Sequence, residues 1–324
     1  MANGTTTGGV IRRPAVPRPI RIRRSVLSLA PNDPIITFYD KAINRMKTKP
    51  MDDPLSWRYQ AAIHDYVRSQ DPLALPGDVF PADRGTFWAT CQHACWFFLP
   101  WHRMYLHHFE KIVMSLVMEL GGPTDWALPY WNYSPSPAAH LLPAPFRAGS
   151  ATPGLFVAQR DPNANTGLPF GRPDLPGQTG DSNITICLSE PLFTGVPAGR
   201  PGFGGLPGVN HNPGGPGKGM VEQLPHDTMH GAISGPDPRT GFMGSFTRAP
   251  LDPIFWLHHC NIDRLWEVWV KTHANPTDAA WLNQSFPFHD ASGGTVSMTS
   301  SQVLDTRAEP LSYIYDDISN PLSP

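Results

Sequence analysis

The chain has 324 residues and a formal net charge of −2, with charged residues making up only 16 % of the total. A balance so close to neutral excludes a composition-driven nucleic-acid or membrane-surface partner. No apolar run is long enough for a signal core or a bilayer span, so the compartment stays open with the cytoplasm as the default. Thirty-eight prolines, 29 glycines and 10 tryptophans describe long ordered loops around a bulky aromatic interior. Cys91, Cys95, Cys187 and Cys260 lack the close repeated pairing of a small disulfide framework.

Residues 1–30 form a basic arm with Arg12, Arg13, Arg18, Arg21, Arg23 and Arg24 and no acidic residue before Asp33. Such an arm is expected to be solvated or to wrap the surface, and 31–324 is expected to form one folded unit. From Asp33 to about Lys47, Ile36, Tyr39, Ala42, Ile43 and Met46 recur at helical intervals. A second helical stretch runs from about Leu55 to Val67 and carries His64, followed by a loop over Pro72–Gly85. Pro100 suits an early helical position, and the apolar period continues from Trp101 to Leu120 until Gly121-Gly122-Pro123 stops it. His93 and His102 lie two and a half turns apart at ~3.6 residues per turn, so one helix would point them to opposite sides. His93 is therefore placed in the loop before this helix and His102 in its first turns. The segment from Ser134 to Gly219 is the least regular, with short strands expected at Ile184–Leu188 and a place at the rim of a site. Helices are expected at Val221–Ile233 and Ile254–Thr272.

Six histidines stand out from this background in two groups. His64, His93 and His102 form the first, and His226, His230 and the His258-His259 pair form the second. Imidazole suits copper, zinc, iron and nickel, and two sets of three imply two ions with open positions between them. His226 and His230 share a face if helical, a spacing that alone is more often structural than metal-binding.

The surrounding residues give the pattern its weight. Gln60-Ala61-Ala62-Ile63-His64, the Phe97-Phe98-Leu99-Pro100-Trp101-His102-Arg103 run, Glu222-Gln223-Leu224-Pro225-His226 with His230, and Asp252-Pro253-Ile254-Phe255-Trp256-Leu257-His258-His259 together resemble the type-3 copper proteins: tyrosinases, catechol oxidases (polyphenol oxidases) and haemocyanins. The resemblance implies a mainly α fold, a four-helix bundle around a dinuclear copper centre with long loops and few short strands. It implies two copper ions, one on His64, His93 and His102 and the other on His226, His230 and His259, with His258 beside them but not a ligand. Dioxygen as co-substrate and a small phenol as substrate follow from the same resemblance, as does oxidation of o-diphenols to o-quinones with monophenol hydroxylation.

The resemblance also nominates supporting residues. Cys91 stands two before His93, where fungal and molluscan members join this cysteine to the histidine ring by a thioether. Glu222 occupies the place of a glutamate that orients a water for phenol deprotonation in plant-type members, and Asp227 stands where efficient monophenolases often carry Asn. Phe246 matches an aromatic gate above the second copper, and Gly231 leaves room at the entrance. Each ligand ring is expected to donate its other N–H to a carbonyl or carboxylate, with Asp252 or Asp263 available for this, although an ion pair with arginine is the stronger expectation for Asp263. His107, His108, His140, His211, His273 and His289 match no ligand position. Tyr313-Ile314-Tyr315 resembles the tyrosine motif that closes the catalytic domain, and with the chain ending at Pro324 no C-terminal shielding domain and no latency are expected. The alternatives left open are a strict catechol oxidase, an o-aminophenol oxidase, a haemocyanin-like dioxygen carrier and a zinc hydrolase.

Overall fold

The computed structural model describes residues 19–172, 180–195, 201–235 and 241–322. Its first long helix, α1 (Pro34–Lys47), begins where Asp33 accepts the Ile35 N–H at 2.8 Å, with Pro34 at a position that needs no donor. The predicted apolar stripe of Ile36, Tyr39, Ala42, Ile43 and Met46 is the buried face. Ser56 caps α2 (Trp57–His64) by accepting the Tyr59 N–H at 3.0 Å. This helix stops at His64 because Asp65 is extended, three residues short of the expected end.

Helix α3 (Phe98–Glu119) carries His102 in its first turns, with His93 in the preceding loop, as the spacing required. A wide, π-type helical turn over Glu222–Asp227 leads into α4 (Thr228–Ser234). The expected continuous helix is broken at Leu224 (φ −139°, ψ 122°), because Pro225 has no N–H to donate and its ring disfavours helical geometry in the residue before it. Helix α5 (Pro253–Trp269) starts at Asp252, which accepts the Ile254 N–H at 3.0 Å. Helix α5 packs on α3, which in turn packs on α1. Phe109 of α3 stacks on Trp256 of α5 with ring centroids 3.4 Å apart and planes 9° from parallel, and Trp57 of α2 packs on both rings.

Strands are few and short among the described residues. Strand β1 (Arg21–Arg23) pairs in parallel with β4 (Tyr313–Tyr315), while β2 (Ser285–His289) and β3 (Thr295–Thr299) form an antiparallel pair with Phe286 opposite Met298. The strand expected at Ile184–Leu188 is a single helical turn, Thr185–Leu188. Asn183 accepts from both the Thr185 N–H and its hydroxyl, a local cap that favours the turn.

The basic arm also departs from expectation. Arg12, Arg13 and Arg18 lie outside the described residues, but Arg21 and Arg23 are buried rather than solvated. Arg21 and Arg23 pair with Glu110 at 2.9 and 2.8 Å, and Arg23 also meets Asp263 at 3.2 Å beneath the Tyr313 ring. Buried charges persist only when partners satisfy them, and Glu110 and Asp263 do so here. Among the described residues no helix is long and apolar enough to cross a membrane.

Candidate metal centre

Five ligand-bearing helical segments and one loop bring all six histidines together. In the first group the ring centroids of His64–His93, His93–His102 and His64–His102 are 5.1, 4.9 and 5.7 Å apart. In the second, His226–His230, His226–His259 and His230–His259 are 4.5, 4.9 and 5.6 Å apart. The groups meet where His102 stacks on His259 at 4.6 Å and 12°. Phe98 packs on His93, His102 and His226 at this junction.

Hydrogen bonds fix which nitrogen four of the six rings present, whereas Nδ1 of His93 and of His259 is buried with no hydrogen-bond partner, against the expectation that every ligand ring donates its other N–H. His64, His102 and His230 donate Nδ1–H to the backbone carbonyls of Phe246, Phe98 and Met243 at 3.0, 2.8 and 2.6 Å. A carbonyl can only accept, so the proton sits on Nδ1 and Nε2 keeps its lone pair. His226 donates Nδ1–H to Asp227 Oδ1 at 2.9 Å. The Nε2 atoms of His102 and His226 are buried with no hydrogen-bond partner. His230 Nε2 and His259 Nε2 approach to 3.4 Å, close to the roughly 3.3 Å that separates two tetrahedral imidazole nitrogens on one ion with bonds of ~2.0–2.1 Å. Burial lowers the proton affinity of all six rings, helped by neighbouring histidines at all but His230, and this keeps them neutral donors. An orphaned buried Nε2 in each set, with the close approach of His230 and His259, fits a pair of metal ions.

His258 is buried with both ring nitrogens unpartnered and its ring 4.8 Å from that of His230. It lies near-parallel to Tyr133, whereas His259 faces His102 across the two groups. Asp252 does not orient a ligand histidine; a bidentate pair with Arg160 at 2.6 and 2.7 Å occupies its carboxylate as it caps α5. Asp263 is the expected arginine partner, bonded to Arg103 at 2.5 Å and accepting from Tyr313 and Tyr315 at 2.6 and 2.5 Å. This network ties the helices of His102 and His259 to both strands of the β1–β4 pair.

A pocket of about 270 Å³ opens onto the histidines, walled by His64, His93, His226, His230, Asp227 and Phe246 with Met243 and Gly231. A larger cleft of about 960 Å³ beside Met46, Trp57 and Phe242 contains no histidine, so size alone does not locate the chemistry. Phe246 reaches the pocket from the other side than expected. Its ring lies 5.0 and 4.9 Å from His64 and His93 of the first group, held there because its own carbonyl accepts from His64.

Glu222 is fully buried, and both its oxygens lie 2.9 Å from the N–H of Ala94, the residue after His93. Burial pushes its carboxyl up to about 8, against the pull of that N–H. Asp227 is engaged on both oxygens, one on His226 and the other on Lys218. Cys91 is a buried free thiol whose sulfur lies within 4.8 Å of ligand nitrogens of His64 and His93. His211, matched to no role by its sequence, bonds the Cys91 carbonyl at 2.8 Å and Asp65 at 3.3 Å. Lys218 likewise carried no sequence signal, because its partner is defined only once the loop before α4 has folded.

The family model for the common central domain of tyrosinase matches residues 54–191 and 200–272, and that for the polyphenol oxidase middle domain matches 275–323. The chain is 37 % identical over 306 residues to Tyrosinase HcTyr1 of Hahella sp. (strain CCB-MM4), covering 91 % of this chain and 63 % of that protein. It is 31 % identical over 319 residues to the chloroplastic polyphenol oxidase of Malus domestica, covering 94 % and 50 %. Its fold is similar to that of latent apple tyrosinase, with a TM-score of 0.70 and 29 % identity over 96 % of this chain and 65 % of the other. Against Grenache (Vitis vinifera) polyphenol oxidase the TM-score is 0.67 at 26 % identity, over 98 % and 91 %. The chain thus spans about half to just under two thirds of the length of these curated relatives. With its histidine sets, mainly helical fold and both domain matches, the chain belongs to the tyrosinase/polyphenol oxidase family of type-3 copper proteins.

Proposed function

We propose that this protein is a dicopper oxidase that uses dioxygen to convert o-diphenols to o-quinones and hydroxylates monophenols beside their hydroxyl group. His64, His93 and His102 hold one copper ion, and His226, His230 and His259 the other. The observation that carries this reading is that backbone carbonyls take the Nδ1 proton of three of these rings, turning their Nε2 lone pairs into the shared interior. The names of the relatives, a tyrosinase and a polyphenol oxidase, agree with it.

Bound copper would supply electron acceptance and dioxygen activation, so that two catechols deliver four electrons and four protons to one dioxygen, giving two o-quinones and two waters. The chain's own residues bind and orient the ring. Phe246 and Met243 offer the phenol apolar surface, and Gly231 leaves the entrance clear. Glu222 accepts the phenol proton through an intervening water, since burial brings its proton affinity near the working range of a base. Cys91 joins the His93 ring by a thioether, which fixes the one ligand that no helix holds.

A strict catechol oxidase is the second reading, favoured by one observation: both Asp227 oxygens are already engaged by donors, which weakens this carboxylate as a base for phenol deprotonation. Copper content and oxygen uptake with a simple catechol and its matching monophenol test both readings. Two copper ions per chain and uptake with both substrates support the proposal. Uptake with catechol alone selects the second reading, and absence of copper binding overturns both.

A further inference from the structure

Of the four ligand rings whose Nδ1 has a protein partner, three lean on backbone carbonyls that the fold fixes. His226, which also has the Glu222 backbone as a partner, is the one that leans on a side chain as well, that of its neighbour Asp227 at 2.9 Å. That carboxylate stands in the pocket wall and is partly exposed, so its place on the histidine depends on the side-chain groups around it. Its second oxygen is held by the ammonium of Lys218.

Lys218 is itself anchored. Its carbonyl accepts the Gln223 side-chain amide at 2.8 Å, and the carbonyl of Gly217 accepts the Leu206 N–H at 3.0 Å. A Cβ on Gly217 would lie 2.3 Å from the Ala94 carbonyl oxygen, so the backbone before Lys218 is pressed against the loop that carries His93. The lysine therefore reaches Asp227 from a base built on the first histidine group.

Resting on the dicopper reading above, we propose that Lys218 is a positioning residue for the second copper site. It clamps the Asp227 carboxylate so that the other oxygen orients His226, aiming His226 Nε2 at the metal. Partners that orient a ligating histidine typically contribute 10–100-fold to metal affinity, and Lys218, one bond further out, belongs at the lower end. The clamp ties Asp227 to the orientation of His226, since each of its oxygens already holds a partner.

The test follows copper release from the loaded protein to an excess of chelator in wild type, Lys218→Met, Lys218→Arg, Asp227→Asn and the double variant Lys218→Met/Asp227→Asn. The expected result is about tenfold faster loss of one of the two copper ions in Lys218→Met, restoration in Lys218→Arg, and no further effect of Lys218→Met once Asp227 is Asn. Unfolding of the metal-free protein should be the same in wild type and Lys218→Met. Wild-type release kinetics in Lys218→Met, equal acceleration of both ions, additive effects in the double variant, or a matching fall in metal-free stability would each overturn the inference. A wild-type protein that takes up no copper would refute the dicopper reading itself, and this inference with it.

Discussion

Replacing Glu222 by Gln should make the metal-free protein more stable, and by an amount that grows with pH. The carboxyl is fully buried, and its folded-state proton affinity is raised from the ordinary 4.5 to about 8, chiefly by burial and further by Asp227. At 1.36 kcal/mol per pH unit, that separation is worth ~5 kcal/mol as an upper bound. The sign follows from proton counting. Between about 4.5 and about 8 the folded chain keeps a proton that the unfolded chain releases, so stability falls as pH rises through this window and levels off above it. Gln is neutral throughout and can still accept the Ala94 N–H. Urea unfolding of metal-free wild type and Glu222→Gln should give nearly equal stabilities at pH 5 and a gap of several kcal/mol at pH 8–9. Loading with copper should narrow that gap, because nearby positive charge favours the carboxylate. A gap that is constant from pH 5 to 9, or that shrinks as pH rises, would refute the argument that Glu222 is held as a neutral acid in the metal-free fold.

Asp263→Asn should cost about 3–5 kcal/mol in chemical denaturation, since it leaves Arg103 and Arg23 buried beside a neutral amide. Phe246→Ala should leave copper content unchanged, because the carbonyl that holds His64 belongs to the backbone, but it should raise KM for catechol by removing apolar surface from the pocket wall. After copper loading and exposure to air, alkylation of the unfolded chain should modify three of its four cysteines, with Cys91 missing and the chain lighter by two hydrogen atoms. Four alkylated cysteines would sink the thioether.

Helices with apolar periodicity and a capping residue were legible in the chain: Asp33 and Asp252 mark the starts of α1 and α5, and their buried stripes are those the spacing predicts. The break at Leu224 had its signal in Pro225, which the histidine spacing overshadowed. Strand β1 was not legible. Its three residues are too short for a pattern, and two of them are arginines, which ordinarily face solvent; their carboxylate partners lie 87, 89 and 240 residues away. Histidine ligands were readable because their motifs are local. The orientation of Phe246 and the engagement of Asp227 were not, because each depends on a contact made by a loop whose path the sequence does not encode by period.

That dependence also explains why so much glycine and proline surrounds a helical site. His93 lies on no helix, and what holds it is the irregular segment 203–219. Its N–H donates to Asn210 O at 2.8 Å and its carbonyl accepts from Asn210 Nδ2 at 2.7 Å, while Trp96 N–H reaches Leu206 O at 2.8 Å. For two backbones to lie this close, side chains must be absent. A Cβ at Gly205 would come within 2.9 Å of the Cys95 carbonyl oxygen, and one at Gly217 within 2.3 Å of the Ala94 carbonyl oxygen. The same contact gives Glu222 its Ala94 partner and sets the base from which Lys218 reaches Asp227. A helix could fix a ligand by its own hydrogen bonds, but it could not also carry restraint from the first histidine group to the second. The glycine-rich segment does both, so the long loop is part of the metal site rather than a covering for it.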